Sequence, residues 1–282
     1  MKTTNLTSVA IAVLLGTVML AGAGCTNSKT NQETSDNMET LNLTQEWDKK
    51  FPQSDKVNHR KVTFKNRYGI TLAADLYEPK NVEGKLAAIA VSGPFGAVKE
   101  QTSGLYAQTM AERGFLTLAF DPSYTGESGG EPRNVASPDI NTEDFSAAVD
   151  FLTALSDVDA ERIGIIGICG FGGMGLNAAA MDTRIKATVA STMYDMSRVN
   201  ANGYFDAEDS ADDRNKKREM MNVIRTRDAQ SGTITPGVPG LPDSITGEEP
   251  QFVKDYFDYY KTNRGFHVRS INSNGAWSPT MT

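Results

Sequence analysis

One stretch, residues 162–180 with the sequence RIGIIGICGFGGMGLNAAA, constrains the fold of this chain more than any other. It opens with an apolar run rich in isoleucine, which is typical of a parallel strand buried on both faces. A turn dense in glycine follows at residues 170–173, and small apolar residues over 174–181 then predict a helix packed close to the sheet. The stretch therefore predicts a strand that turns sharply into a helix. Such a turn presents one side chain and several free backbone N–H groups.

The motif GICGFGG in this stretch and the sequence FDPSYTGESGG at residues 120–130 resemble the α/β-hydrolase fold. The resemblance is closest to a bacterial branch related to dienelactone hydrolases and to polyketide-transferase-like proteins. It covers roughly residue 44 to the last residue, which is far more chain than one motif. It implies an α/β class fold, with a mostly parallel sheet flanked by helices and a helical cap inserted after the sixth strand.

The N-terminus has the order of an export signal, with a basic residue, an apolar core over residues 9–20 and small residues before Cys25. We therefore predict a signal peptide over residues 1–24 and an exported protein. The small residues before Cys25 resemble a bacterial lipobox. This resemblance implies lipidation of Cys25 and anchoring to the membrane of a bacterial cell envelope. Ordinary cleavage at the A-x-A site of Ala21 and Ala23 stays open and would give a soluble periplasmic protein.

The remaining chain divides by composition. Residues 25–42 are polar and predict a flexible linker. Residues 43–198 alternate apolar runs with helical patterns and predict the α/β-hydrolase core. Residues 199–282 carry long polar helices and a loop rich in Gly and Pro, which predicts the helical cap. Because the resemblance implies two further strands after the cap, we expect the last strands to be missing and the cap to be truncated.

The predicted turn can be read in two registers. A hydrolase of this fold needs a nucleophile in the turn, a histidine that accepts its proton and an acid that orients the histidine. In the first register, GICGF from Gly167, the resemblance to dienelactone hydrolases makes Cys169 the candidate nucleophile. In the second, CGFGG from Cys169, Phe171 takes that position and small residues follow it. The steric demand of a strained turn favours the second register, in which Cys169 is a buried strand residue.

The partners of such a nucleophile are not found where the resemblance implies them. The chain has two histidines, His59 before the first predicted strand and His267 in the predicted cap. The chain order of the fold gives neither of them the catalytic role. Asp195 follows the sixth predicted strand, which is an alternative position for the acid in some relatives. We therefore expect the catalytic histidine to be absent.

Two further stretches are relevant to a binding site. The third predicted strand, at residues 85–92, ends in Gly-Pro-Phe-Gly, and in the family this loop gives one N–H to an oxyanion hole. Pro94 has no N–H, so the donor would be Phe95 or a later residue, while a simple tight turn stays open. Aromatic residues between Phe252 and Tyr260 either line an acyl or aromatic site or form the buried face of a cap helix.

Charge and composition limit the partners. The chain carries 28 basic and 35 acidic residues, a net charge of −7, with no basic stripe for nucleic acid. The acidic cluster over residues 206–213 lacks the central glycine and terminal glutamate of a calcium loop, so we predict neither a metal nor a cofactor. The expected partners are a small-molecule acyl substrate or ligand and, through the lipid, a membrane.

The sequence leaves two functions open. The first is hydrolysis of small ester, thioester or amide substrates by an α/β-hydrolase, with Cys169 as nucleophile. This activity is expected to be lost if the replaced elbow serine and the absent histidine are both needed. The second is a non-catalytic, lipid-anchored binding module or a truncated remnant.

Overall fold

The computed structural model describes residues 40–235 and 241–270 and the backbone of residues 276–277. The predicted signal peptide, Cys25 and most of the predicted linker lie outside the described residues. Within the described part of the chain, no helix combines the length and the apolar character that a bilayer span requires.

Between residues 40 and 198, the structure has seven strands, and six of them form one mixed sheet. The strands are β1 Val57–Lys65, β2 Thr71–Pro79, β3 Leu86–Ser92, β4 Leu116–Phe120, β5 Val135–Ala136, β6 Val158–Ile168 and β7 Ile185–Ser191. The order in the main sheet is β1-β2-β4-β3-β6-β7. β2 is antiparallel to both β1 and β4, whereas β3, β4, β6 and β7 run parallel. The short strand β5 lies outside this sheet and pairs in parallel with β8, Ala276–Trp277.

The described residues contain six α-helices and one short 3-10 helix, Tyr204–Asp206. The α-helices are α1 Thr102–Ala111, α2 Pro138–Thr153, α3 Gly170–Met181, α4 Met196–Asn202, α5 Ala211–Ser231 and α6 Gln251–Tyr260. α2 starts cleanly because Ser137 caps it, accepting a hydrogen bond from the Ile140 N–H, and Pro138 occupies the first helical position. α4, α5 and α6 follow β7, the sixth strand of the main sheet, where the sequence predicts the cap.

Two hydrophobic cores cover the two faces of the sheet. One contains residues of α2 and α3, including Phe145 and Met174, and the other contains residues of α1, including Ala107. Alternate residues of β3 enter the two cores: Ala88 and Ala90 the first, Ile89 and Val91 the second. Burial on both faces is the reason why these strands are continuous apolar runs in the sequence.

The register of the central strands positions the functional site. β3 and β6 are parallel neighbours, and Ser92 at the end of β3 pairs with Gly167 near the end of β6. The carboxyl ends of parallel strands lie at one edge of a sheet, where ligands of α/β proteins bind. The loop after β3 and the turn after β6 therefore meet at this edge.

Candidate functional site

Cys169 forms the sharp turn between β6 and α3. Its φ of 57° and ψ of −126° lie in a region that residues with a side chain rarely adopt. Backbone hydrogen bonds hold this conformation: the Cys169 N–H donates to Ser191 O (2.9 Å), and its carbonyl accepts from Gly172 N–H (2.9 Å) and Tyr194 N–H (3.2 Å). A strained strand-to-helix turn that exposes one side chain is the nucleophile elbow of α/β-hydrolases.

The register that places Phe171 at the nucleophile position is wrong. Phe171 lies in the first turn of α3, is only 3% exposed, and packs with Phe95 and Phe145 at ring-centroid distances of 5.9 and 6.3 Å. Its bulk is accommodated because the ring enters the core. The close backbone approach falls instead at Gly167, where a Cβ would lie 2.2 Å from Phe171 O. Cys169 is accordingly the partly exposed turn residue and not a buried strand residue.

Two backbone N–H groups are directed at the Cys169 sulfur. Burial is the largest effect and raises the pKa of the thiol above its usual value, while hydrogen bonds from the N–H groups of Gly170 and Phe95 lower that pKa. Gly170 is the residue after the turn, and Phe95 is in the loop after β3. One donor from each element is the arrangement that stabilises an oxyanion in acyl transfer.

The loop that carries Phe95 is fixed on both sides. At Gly93, φ is +95°, and a Cβ would lie 2.3 Å from Ile168 O at the end of β6. On the other side, the Ser270 hydroxyl donates to Gly96 O (3.1 Å). The position of the Phe95 N–H thus depends on the close approach of the loop to β6 and on the segment after α6.

Three tyrosines of the cap region lie near enough to Cys169 to interact with it electrostatically. Burial raises the pKa of Tyr204, Tyr256 and Tyr260, and the nearby Cys169 contributes to the rise in all three pKa values. The Tyr256 hydroxyl also lies 3.2 Å from the hydroxyl of Tyr194. These side chains are therefore neutral hydrogen-bond donors at neutral pH. The aromatic pattern of α6 indicated Tyr256 and Tyr260 in the sequence. No pattern in the sequence indicated Tyr204.

The two histidines lie in other surroundings. His59 lies on β1, and its Nε2 is 2.8 Å from Oδ1 of Asp75 on the neighbouring strand β2. His267 Nε2 is 3.6 Å from Asp48 Oδ2, and its Nδ1 accepts from the Arg269 N–H (3.3 Å). Among the described residues, no imidazole is among the groups that shift the pKa of Cys169.

The acid predicted after the sixth strand has a structural role. Asp195 caps α4 by accepting a hydrogen bond from the Arg198 N–H (3.0 Å). Acids of the 206–213 cluster form ion pairs, such as that of Asp206 with Arg198 and that of Glu208 with Lys217. Within the described ranges, no group of acid, histidine and cysteine side chains has an arrangement that could hold a metal ion.

A buried ion cluster lies beneath the loop after β3, and sequence reasoning missed it. The Lys99 side chain is 0% exposed, and its ammonium lies 2.7 Å from Glu100, 2.8 Å from Asp121 and 2.7 Å from Glu127. Arg269, at 3.0 Å from Glu100, and Lys61, at 2.5 Å from Glu127, belong to the same group, which we call the Lys99 cluster. The loop that starts at Asp121, part of the motif at residues 120–130, is anchored here: Asp121 accepts hydrogen bonds from the N–H groups of Lys99 and Glu127.

Comparison with known proteins identifies the family. The family model for X-Pro dipeptidyl-peptidases of the S15 family matches residues 68–234, which is more than half of the chain and includes the elbow. The chain belongs to the S15 family of α/β-hydrolases.

Two bacterial relatives of this S15-family protein match most of its length. It is 61% identical over 273 residues to the protein PA2218 of Pseudomonas aeruginosa, covering 95% of this chain and 72% of PA2218. The crystal structure of PA2218 matches with a TM-score of 0.80 and 64% identity, over 86% of this chain and 75% of that one. The protein YcjY of Escherichia coli is 41% identical over 212 residues, which are 73% of this chain and 68% of YcjY.

Two fungal relatives with an assigned activity match shorter parts of the S15-family protein. The polyketide transferase claH of Penicillium crustosum is 31% identical, over 47% of this chain and 44% of claH. The thiohydrolase aneE of Aspergillus aculeatus is also 31% identical, over 49% of this chain and 42% of aneE. The α/β hydrolase GrgF from a Penicillium species shares the fold, with a TM-score of 0.62 at 21% identity over 78% of this chain and 70% of GrgF. The predicted α/β-hydrolase fold and superfamily are confirmed.

Proposed function

We propose that this protein is a cysteine-dependent acyl hydrolase that acts on small ester, thioester or amide substrates. The observation that carries the proposal is the elbow. Cys169 is the residue with the strained backbone conformation in this turn, and its thiol accepts hydrogen bonds from the N–H groups of Gly170 and Phe95. A nucleophile beside two preorganised N–H donors suits attack on a carbonyl carbon. The names of the fungal relatives, a transferase and a thiohydrolase, belong to the same class of reaction.

The proposed acyl transfer has two half-reactions, acylation of Cys169 and hydrolysis of the resulting thioester. The Cys169 thiolate forms a bond to the carbonyl carbon, and the carbonyl electron pair moves to the oxygen, which accepts hydrogen bonds from the Gly170 and Phe95 N–H groups. Collapse of this intermediate breaks the bond to the leaving alcohol, thiol or amine, which takes up the proton that the thiol released. Water then attacks the thioester, releasing the acid and restoring the thiol.

The rates of the two half-reactions should differ. Burial raises the pKa of Cys169, so only a small fraction of the protein carries the reactive thiolate at neutral pH. In the described part of the chain, no imidazole is among the groups that act on the thiol. We therefore expect the acyl-enzyme to form slowly and to be hydrolysed more slowly still.

The test is the reaction of the full chain with p-nitrophenyl acetate. We expect a burst of about one equivalent of p-nitrophenolate and a slow steady state, since deacylation limits turnover. Mass spectrometry should find the acetyl group on the peptide that contains Cys169. Cys169→Ala should abolish the burst. Cys25→Ala, which removes the other cysteine of the chain, should leave it unchanged. A burst of equal size in Cys169→Ala would exclude the proposed nucleophile.

The pH dependence of thiol reactivity gives a second expected outcome. In the Cys25→Ala variant, alkylation of Cys169 by iodoacetamide should be slower at pH 7 than that of a free cysteine. Its rate should rise with pH past the usual thiol pKa of about 9, because burial raises the pKa of Cys169 and only the thiolate reacts. A rate that levels off below pH 8 would mean that a group outside the described residues lowers this pKa.

A non-catalytic binding module is the second candidate function. It is favoured by one observation, that the thiol pKa is raised and no described imidazole opposes this. Saturable binding of the ester to the wild-type protein without release of p-nitrophenolate would support this function in place of hydrolysis.

A further inference from the structure

A cavity of about 260 Å³ lies beside the elbow, in the region after β7. We call it the aromatic cavity; it is lined by Tyr194, Arg198, Val199, Tyr204, Phe205 and Phe252, among others. An engineered apolar cavity of about 150 Å³ admits benzene. The aromatic cavity therefore has room for one aryl ring with a short chain, and is below the size of about 300 Å³ at which pockets for whole drug-sized ligands begin.

The walls of the aromatic cavity are built from interlocked rings. Tyr204 contacts Tyr194 edge to face at a centroid distance of 5.9 Å and Phe252 at 5.1 Å. Phe252 contacts Tyr256 edge to face at 5.9 Å, and the hydroxyls of Tyr256 and Tyr194 lie 3.2 Å apart. This ring of four side chains comes from three separate segments, and it offers aromatic edges and faces to a ligand.

The rim of the aromatic cavity is strained. Phe205 and Asp206, two consecutive residues with side chains, have φ values of 60° and 55°. Arg198 holds this conformation through two bonds to the Asp206 carboxylate, from Nε at 2.8 Å and from Nη2 at 2.6 Å. The strain leaves the Phe205 ring 91% exposed at the rim. A strained segment that presents an uncovered aromatic ring at a cavity is typical of a ligand clamp.

The charges at the aromatic cavity favour an uncharged ligand. Among the residues that line the aromatic cavity, the charged ones are Arg198 and Asp206, which form a bidentate ion pair and thus present no net charge. The other lining groups are aromatic, aliphatic or hydroxyl. A carboxylate or ammonium would lose its hydration in the aromatic cavity without gaining a counter-ion.

The aromatic cavity and the elbow share a wall. The Tyr194 ring lines the cavity while the Tyr194 N–H donates to Cys169 O at 3.2 Å. Tyr204, which also lines the cavity, is close enough for Cys169 to raise its pKa, although burial has the larger effect. A ligand whose ring occupies the aromatic cavity therefore lies next to the elbow.

We propose that the aromatic cavity binds the uncharged aryl group of an arylalkanoyl ester or thioester. The ring lies among Tyr194, Tyr204 and Phe252 and is covered by Phe205, and the acyl carbon is directed at Cys169. The placement of the acyl carbon rests on the proposed function, whereas binding of the aryl group does not.

Binding is tested in the full-length Cys169→Ala variant, which cannot be acylated at this position. The variant is titrated with ethyl 3-phenylpropanoate and with ethyl 3-cyclohexylpropanoate, and calorimetry measures the two dissociation constants. The pair compares a flat aromatic ring with a saturated ring. We expect the phenyl ester to bind about tenfold more tightly, as contacts between aromatic rings predict. Equal dissociation constants for the two esters would overturn the proposal.

Two further substitutions in this variant locate the binding site. Phe205→Ala should weaken phenyl-ester binding several-fold without lowering the melting temperature, because the Phe205 side chain is 91% exposed. Val199→Trp should fill the aromatic cavity and weaken binding at least about tenfold. Val223→Trp, on α5 at a residue 69% exposed, is the matched control and should bind as before. Unchanged binding in both cavity variants would overturn the proposal.

The outcomes separate this proposal from the proposed function. Aryl-selective binding together with no acyl burst in the wild-type protein would refute hydrolysis and support the aromatic cavity as a binding site. A normal burst without aryl selectivity would refute the aryl site alone.

Discussion

Replacing Lys99 with methionine is expected to destabilise the folded protein by about 3–5 kcal/mol at pH 7, which is the usual cost of removing one partner from a buried ion pair. Methionine keeps most of the side-chain volume and removes only the charge. The ammonium of Lys99 is fully buried against Glu100, Asp121 and Glu127, each within 2.8 Å. Without it, Asp121 loses the only ion-pair partner that it has among the described residues, whereas Glu100 keeps Arg269 and Glu127 keeps Lys61. The cluster then holds one more buried negative charge than positive charge, which is costly.

The loss should depend on pH in a defined direction. Burial is the largest effect and lowers the pKa of Lys99, but Asp121 and the other acids outweigh it, so the pKa is raised. Lys99 thus stabilises the fold fully below its usual pKa of 10.5, and this stabilisation is lost only as the pH rises through the raised value.

Burial raises the pKa of Glu127, but Lys99 and Lys61 outweigh burial and lower it to about 2. Its contribution is therefore present above the usual pKa of 4.5 and is lost as the pH falls towards about 2.

In the Lys99→Met variant, these carboxylates can take up protons on mild acidification and so relieve the unpaired charge. The free energy of unfolding of the variant should therefore approach that of the wild type between pH 7 and pH 5. Urea unfolding of the full chain, followed by circular dichroism at both pH values, measures the difference. Lys186→Met is the control: Lys186 lies 3.4 Å from Glu161, both side chains are exposed, and little change is expected. A deficit below about 1 kcal/mol, or one that does not change with pH, would contradict this account.

The Lys99 cluster also joins distant parts of the chain beneath the functional site. Glu127 Oε1 accepts from the Thr44 N–H at 2.7 Å, so the start of the described chain is attached to the cluster. Arg269 binds both Asp48 and Glu100, which attaches the segment after α6. That segment also carries Ser270, whose hydroxyl binds Gly96 next to the Phe95 donor. The position of the oxyanion donor is thus linked to the stability of the Lys99 cluster.

The sequence was sufficient to predict the central strands of the sheet because these are buried on both faces, and the edge strand β7 was predicted from its apolar run although none of its residues is buried. The predicted strands at residues 85–92 and 185–192 coincide with β3 and β7 to within one residue. Central parallel strands are continuous apolar runs bounded by turn residues, and this pattern is visible without any knowledge of tertiary contacts.

The site could be predicted only in part, since its decisive contacts are between distant segments. The favoured register assumed that bulk at Phe171 would oppose the turn, but the Phe171 ring enters the core, and the position that needs a small residue is Gly167. The sequence analysis did not identify Lys99 as buried, because two of its three partners, Asp121 and Glu127, lie 22 and 28 residues away. Local patterns in the sequence do not indicate contacts between residues that are far apart in the chain.

Replacing Gly93 with alanine is expected to lower the rate of the acyl burst by about 10²–10³-fold, the usual effect of removing one oxyanion donor. A Cβ at Gly93 would lie 2.3 Å from Ile168 O and 2.8 Å from Phe171 Cβ, both in the elbow. Neither the end of β6 nor the first turn of α3 can yield, because both are packed in the core. The loop after β3 therefore moves instead, and the Phe95 N–H moves away from the Cys169 sulfur.

Gly114→Ala separates this clash from the cost of the backbone conformation. Gly114 has a φ of +97°, close to the +95° of Gly93, but a Cβ there would have no atom within 4 Å. Both variants carry the same penalty for a side chain at positive φ, so any further loss in Gly93→Ala comes from the contact with the elbow. Stopped-flow measurement of the burst, at a temperature where both variants are folded by circular dichroism, makes the comparison. Equal burst rates in the two variants would show that the loop after β3 does not position the oxyanion donor.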